Sequence, residues 1–177
     1  MIYQTKLVGV TVDSSLSRGP HAKYTQKNAG KKLWLLIRFK NLGASQEQLL
    51  TLYQLKIRCL PEFAAPAFHG ALTQQQSNEI EMLQKKAFAI ILGSQYKSYS
   101  NALKVLAQER LNTRRLKLCT TFAQKCTKHP RHADLFQPNP RYPLNPRSKN
   151  KYLTPICKTM RYYKSAVPFL TRVLNSK

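Results

Sequence analysis

Cys119-x6-Cys126-x2-His129-x2-His132 is the densest run of metal-capable side chains in the sequence, offering two thiols and two imidazoles of the kinds zinc accepts. The spacing argues against a metal. Structural zinc sites usually open on a tight Cys-x2–4-Cys turn, whereas these cysteines lie two helical turns apart. On a helix they share a face with Leu111, Leu118 and Phe122, where a thiol behaves as a small apolar group, so core packing is the stronger reading.

Carboxylate chemistry has less to work with. The acids are Asp13, Glu47, Glu62, Glu79, Glu81, Glu109 and Asp134, and only Glu79 and Glu81 are close in sequence. Two-metal polymerases and nucleases need several carboxylates converging on one site. No GxSxG, HExxH, GxxxxGKS/T or GxGxxG pattern occurs. The chain therefore reads as a non-enzyme that needs no cofactor. His21 and His69 read as isolated surface or loop histidines without a role.

What the chain has in abundance is positive charge: 30 Lys+Arg against 7 Asp+Glu, a formal net charge of +23 over 177 residues. Such a charge self-repels unless something anionic neutralises it. Nucleic acid is the first candidate partner and an anionic membrane surface the second. The 42% hydrophobic content is enough for a core, and the length suits one domain, or one with a tail.

The charge is placed with a pattern. On a helix over 21–41, Lys23, Lys27, Lys31, Trp34 and Arg38 fall within an arc of about 80°. Ala22, Ala29, Leu33, Leu36 and Ile37 occupy a separate, apolar arc. A basic row beside an apolar one suits a helix that packs on its neighbours and follows a phosphate backbone. Trp34 is either a ring for stacking on a base or an indole wedged between helices.

Basic density rises downstream. From Leu111 to Lys177 there are 15 Lys+Arg and one acid, Asp134. Arg114, Arg115, Lys117, Lys125 and Lys128 crowd one helix, and Arg141, Arg147, Lys149 and Lys151 follow it. Tyr142, Tyr152, Tyr162 and Tyr163 are interleaved and suit stacking on single-stranded bases. Polybasic aromatic tails also bind anionic lipid.

The elements that must position these groups are mostly helices. Lys6–Asp13 is β-branched and partly alternating, a strand that ends in the turn region of Ser14, Ser15 and Gly19-Pro20. A lone strand leaves its edges unpaired, which points to sequence missing upstream. A first helix fits 21–41, stopped by Asn41 and Gly43. Ser45 with Gln48 opens a second, which should end before Pro61. Thr73 with Gln76 opens a third, with a stripe of Ile80, Leu83, Ala87, Ile90 and Ile91 and a stop at Gly93. A short helix over 100–108 and a longer one over 112–128 follow, the latter ended by His129-Pro130. Pro130, Pro138, Pro140, Pro143 and Pro146 then mark an extended basic linker, before 161–174 recovers enough apolar residues to dock as a short helix. The longest apolar runs, such as Leu33–Ile37, fall far short of the ~20 residues of a membrane span. The N-terminus lacks the layout of a secretory signal. Cys59, Cys119, Cys126 and Cys157 therefore read as reduced thiols of an intracellular protein, nuclear or cytoplasmic.

Leu7-Val-Gly-Val-Thr-Val-Asp13, Pro20-His21 and Lys32-Leu-Trp-Leu-Leu-Ile-Arg38 resemble the end of reverse transcriptases of non-LTR, LINE-type retrotransposons. So do Glu62–His69, Gln84–Gly93, Leu118–Cys126, Arg161-Tyr-Tyr163 and Val167–Asn175, in family order over nearly the whole chain. The resemblance implies that Leu7, Val8, Gly9 and Val10 belong to a primer grip, and that the helices after it form a thumb holding template–primer duplex. The family's catalytic Ala-Asp-Asp loop lies upstream of the matched part, so the resemblance implies a truncated, transposable-element-derived piece whose palm and fingers would come from a longer polyprotein. The helix around 31–43 is also similar to a short module at the start of AlkB-type tRNA-modifying proteins, although no Fe(II)/2-oxoglutarate or methyl-donor motif accompanies it. The expected fold is mainly α: a strand or hairpin remnant over 1–20, a thumb-like helical bundle over 21–129, and a basic Pro-rich linker and tail over 130–177. The expected function is sequence-independent binding of RNA or DNA, as a reverse-transcriptase fragment or as a free-standing, domesticated nucleic-acid-binding protein.

Overall fold

The computed structural model describes residues 4–14, 19–142, 144 and 150–176. It is mainly helical, with an N-terminal hairpin. Gln4–Leu7 (β1) and Val10–Asp13 (β2) pair antiparallel, Leu7 opposite Val10 and Gln4 opposite Asp13. The single strand expected over Lys6–Asp13 is thus folded on itself, and one edge of each strand finds its partner inside the chain. Val8 and Gly9 have φ of 46° and 82°, the two left-handed centre positions of a type I′ turn. Gly9 is needed twice over, because a Cβ there would stand 2.8 Å from Phe63 Cε1.

Val8 is β-branched and 86% exposed, so it bears the left-handed conformation with no packing in return. Val8→Asn, which creates the favoured Asn-Gly pair, should stabilise the hairpin by about 1 kcal/mol. Thermal unfolding checks this; an unchanged or lower Tm contradicts the turn.

Helix α1 runs over Gly19–Asn41 and starts two residues before the expected boundary. Pro20 lies in its first turn, where a missing N–H leaves nothing unsatisfied. Ala22, Ala29 and Leu36 are buried as the apolar arc requires, whereas Ile37 is exposed. His21, expected at the surface, is buried instead, and its Nδ1 accepts a hydrogen bond from the Thr11 N–H at 3.3 Å. That bond ties β2 to α1. The helix closes in a Schellman motif: Gly43, at φ 85°, donates to the Lys40 carbonyl and Ala44 to that of Phe39.

Helix α2 (Gln46–Leu52) opens on the reciprocal Ser45/Gln48 capping box. It does not stop before Pro61. A π-helical stretch, Tyr53–Arg58, carries it into α3 (Cys59–Glu62). The register change puts Pro61 in the first turn of a new α segment, where proline is tolerated. After α4 (Ala65–Phe68), helix α5 (Gln74–Leu92) shows the expected Thr73/Gln76 box and ends at Gly93. Then come α6 (Tyr99–Val105), α7 (Leu111–Lys128), α8 (Met160–Tyr163) and α9 (Ala166–Asn175). Among the described residues, no helix is long and apolar enough to cross a membrane.

The chain separates into two compact units, Met1–Phe63 with Leu72–Arg114, and Ala64–Ala71 with Arg115–Lys177. Helix α7 beyond its first turn goes with the second unit. In the first unit Leu36, Tyr53, Ile57, Phe88 and Ile91 form part of one core. Beside it Gln84, fully buried, donates to the Glu109 carbonyl at 2.9 Å and accepts from the Leu111 N–H at 3.1 Å. The Glu81 carboxylate accepts from the N–H groups of Leu111 and Asn112, both at 3.2 Å, and from the Tyr99 hydroxyl. A carboxylate from α5 thus satisfies the otherwise orphan N–H groups that open α7.

The second unit has its own core of Ala65, Cys119, Ala123, Cys126, Phe136 and Leu170. Of its Pro-rich stretch, Pro143 and Pro146 lie outside the described residues, and the described residues on either side of them meet. Pro138 and Tyr152 form an antiparallel bridge, the Asn139 N–H donates to the Lys151 carbonyl at 2.9 Å, and that of Leu153 to Gln137 at 2.9 Å. Prolines withhold donors, but the residues between them do not, and Phe136 supplies the anchor. Helix α9 buries Pro168, Leu170, Thr171 and Val173, as the return of apolar residues there suggests.

Candidate nucleic-acid interface

The basic row predicted on α1 lies on its solvent face. Lys23, Lys27, Lys31 and Arg38 are all exposed, and Trp34 is 56% exposed. The indole is therefore not wedged between helices. The Arg38 guanidinium stands 5.4 Å from its ring centroid, which leaves an aromatic face bordered by cations. Lys23, Lys27 and Lys31 have no acidic partner among the described residues. Like charges four residues apart destabilise a helix by about 0.2–0.5 kcal/mol per pair. Fold stability gives no reason for that spacing. From Lys23 to Arg38 the row extends roughly 22 Å along the helix axis.

Sequence reasoning missed an aromatic neighbour. Lys6 of β1 donates to the Tyr24 hydroxyl at 3.0 Å and stands 4.6 Å from its ring centroid. The Lys6 hydrogen bond and charge, with help from Asn28, hold the Tyr24 phenol below its usual range. No local pattern signals this pair, because it depends on the hairpin meeting α1. Of the four primer-grip-like residues, Leu7 and Val8 are exposed at the hairpin tip, Gly9 is half-buried and Val10 is buried.

On α7 the predicted basic residues do not act together. Lys117, Lys125 and Lys128 are exposed. Arg114, in the first unit, donates through Nε and, at 3.3 Å, Nη2 to Glu62, which also pairs with Arg58 at 3.5 Å. Arg115, in the second unit, is fully buried, and its Nε donates to His69 Nδ1 at 3.4 Å. Arg114 is thus held by an internal carboxylate and Arg115 lies in the interior. Leu118 and Phe122, expected beside the cysteines, are exposed. The cause is helical phase: the turn spacing that buries Cys119 and Ala123 buries residue 115 one turn earlier.

The four metal candidates are not gathered. Cys119 and Cys126 lie in the apolar core, as the packing reading held; burial pushes the Cys119 thiol up to about 12 and raises that of Cys126. A thiol that stays protonated is a poor ligand. His129 and His132 are exposed and stack on each other with centroids 5.0 Å apart. Among the described residues, no group of three or more His, Cys, Asp or Glu could hold a metal.

His69 is no idle loop residue. It packs edge-on against Phe169 at 5.6 Å, and burial, then the Arg115 charge, lowers its imidazole pKa to about 4. It is neutral at pH 7, which leaves Nδ1 free to accept from Arg115. Unfolded, it would take up its proton near 6.5. Its contribution to the stability of the second unit is therefore complete above that pH and is lost as pH falls toward 4. Between about pH 7 and pH 5 the Tm of the His69→Gln variant should fall less than that of the parent. Parallel pH profiles would show that His69 does not titrate this way.

In the tail, Tyr142, Tyr162 and Tyr163 are exposed and Tyr152 is half-buried. The Arg172 guanidinium lies 3.6 Å from the Tyr163 centroid and covers one face of that ring. Arg141 and Lys151 are exposed, while Arg147 and Lys149 lie outside the described residues. By sequence the first unit carries 16 Lys+Arg against 6 acids and the second 14 against Asp134 alone. Comparison of the chain with protein-family models, curated proteins and solved structures finds no match.

Proposed function

We propose that this chain is a helical module that binds RNA or DNA through the phosphate backbone, like the thumb of a LINE-type reverse transcriptase, with no polymerase chemistry of its own. One observation carries the reading: an acid-free row of Lys23, Lys27, Lys31 and Arg38, flanking Trp34, lies on the exposed face of α1, and its three lysines have no acidic partner among the described residues. Cations repeated along one helix face suit a regularly charged polyanion, and nothing about them reads base sequence. Trp34 supplies a ring for an unpaired base.

The test is affinity against salt for a primer–template duplex and for a single strand of the same length. Affinity should fall steeply as salt rises, in proportion to the number of phosphates neutralised, and should differ little between unrelated sequences. An affinity unchanged between low and high salt sinks the proposal.

The internally paired hairpin favours a second form of the same reading, a free-standing RNA- or DNA-binding domain. The two share one surface and differ in what the gene encodes upstream. A frame carrying an Ala-Asp-Asp loop there makes palm and fingers the partners; a promoter and true start codon make the domain independent.

A further inference from the structure

The second unit holds a cavity of about 490 Å³, within the roughly 300–1,000 Å³ usual for small-molecule pockets. Lys128 from the end of α7, Tyr142, Lys151 and Tyr152 from the Pro-rich loop, and Leu174 and Asn175 from the end of α9 help to line it. No Asp or Glu is among its described lining residues. Two exposed lysines, two phenol rings, two amides and a leucine side chain suit a ligand that is both anionic and flat.

The loop side of this cavity is built rather than incidental. The Asn175 side chain holds Tyr152 as a neighbouring strand would, its Oδ1 accepting from the Tyr152 N–H at 2.9 Å and its Nδ2 donating to the Tyr152 carbonyl at 3.0 Å. The Lys151 carbonyl is held by the Asn139 N–H at 2.9 Å, and Asn139 Nδ2 donates to the Asn150 carbonyl at 2.8 Å. Tyr142 N–H closes a turn on the Asn139 carbonyl at 3.0 Å. Walls held in advance lose little entropy when a ligand enters.

We propose that this cavity binds a nucleoside phosphate, the base against a tyrosine ring and the phosphate at Lys128 and Lys151, either as a free nucleotide or as one residue of a single strand. It deepens the nucleic-acid reading but uses residues remote in sequence from the α1 row, so the two can fail separately. The full chain would be titrated calorimetrically with uridine 5′-monophosphate, uridine, inorganic phosphate and a short oligouridine. One monophosphate should bind per chain, with uridine and phosphate each about tenfold weaker.

Tyr142→Ala and Lys151→Gln, both at exposed side chains, should each weaken nucleotide binding about tenfold, whereas Lys104→Gln on α6, exposed and outside both the cavity and the α1 row, should leave it unchanged. Circular dichroism checks folding; if Tyr142→Ala does not fold, Lys151→Gln decides. Oligouridine binding that is weakened by these variants, without monophosphate binding, supports the pocket and assigns its ligand to a strand. If neither probe responds to either variant, the pocket is overturned while the α1 reading stands. Binding to phosphatidylserine vesicles that the variants abolish, with no nucleotide response, overturns it in favour of a membrane surface.

Discussion

Replacing Lys23, Lys27 and Lys31 together by glutamate is expected to cut duplex affinity on the order of a thousandfold at low salt and to flatten the log–log salt dependence by roughly three. Each lysine that neutralises a phosphate contributes about one counterion to that slope, and each glutamate adds repulsion. The three side chains are exposed and have no acidic partner among the described residues, so nothing in the core should move. Lys27→Glu alone makes a sharper control. It turns two like-charged i,i+4 contacts into opposite-charge ones, worth a few tenths of a kcal/mol each, so the helix should gain stability while the protein loses affinity. Binding and Tm moving in opposite directions is the signature of a row kept for a partner. An unchanged salt slope would remove the row as the contact.

Phe88→Ala is expected to destabilise the first unit by about 3–5 kcal/mol. Phe88 is fully buried on α5, with its ring centroid 5.3 Å from that of Tyr53, edge to face, and 6.3 Å from that of Tyr99. Truncation removes the ring on which the π-helical stretch and α6 both lean, and close-packed neighbours do not collapse into the space. In a unit of this size the Tm should drop by more than about 15 °C. Near-ultraviolet circular dichroism of the tyrosines is the suitable probe, because the sole tryptophan, Trp34, lies exposed on α1 and senses the core poorly. Phe88→Leu, which keeps most of the volume, should cost about 1.5 kcal/mol or less. A fall of only a few degrees in the alanine variant would mean that the ring does not close the core.

Much of the local architecture is legible in the residues themselves. Both capping boxes, Ser45/Gln48 and Thr73/Gln76, form as the spacing demands, and Gly43 and Gly93 stop their helices. The stripe on α5 is right in phase, though the buried set also takes in Phe88, Leu92 and Gln84. A glutamine four residues after Ile80, on the apolar side, is the one local sign of the polar network that opens α7. On α1 the separation of basic and apolar arcs holds except at Ile37, which lies at the arc's edge.

Other features are not legible locally. The run from Lys6 to Asp13 looks like one strand because Val8 is a strand former; the turn forms because pairing Leu7 with Val10 outweighs the strain on a single residue. Arg114 and Arg115 differ from Lys117 only in phase, and the phase of α7 is set by what Cys119 and Ala123 pack against. The Pro-rich stretch reads as a linker because its closing contacts are distant: Gln137 with Leu153, and Tyr152 with Asn175. By itself the sequence determined where the capping boxes open α2 and α5, where Gly43 and Gly93 stop α1 and α5, and which faces of α1 and α5 are apolar, since caps, glycines and a 3.6-residue period act within a few positions. Only the tertiary structure decided which cations remain exposed, because burial of a side chain depends on segments far away in the chain meeting it.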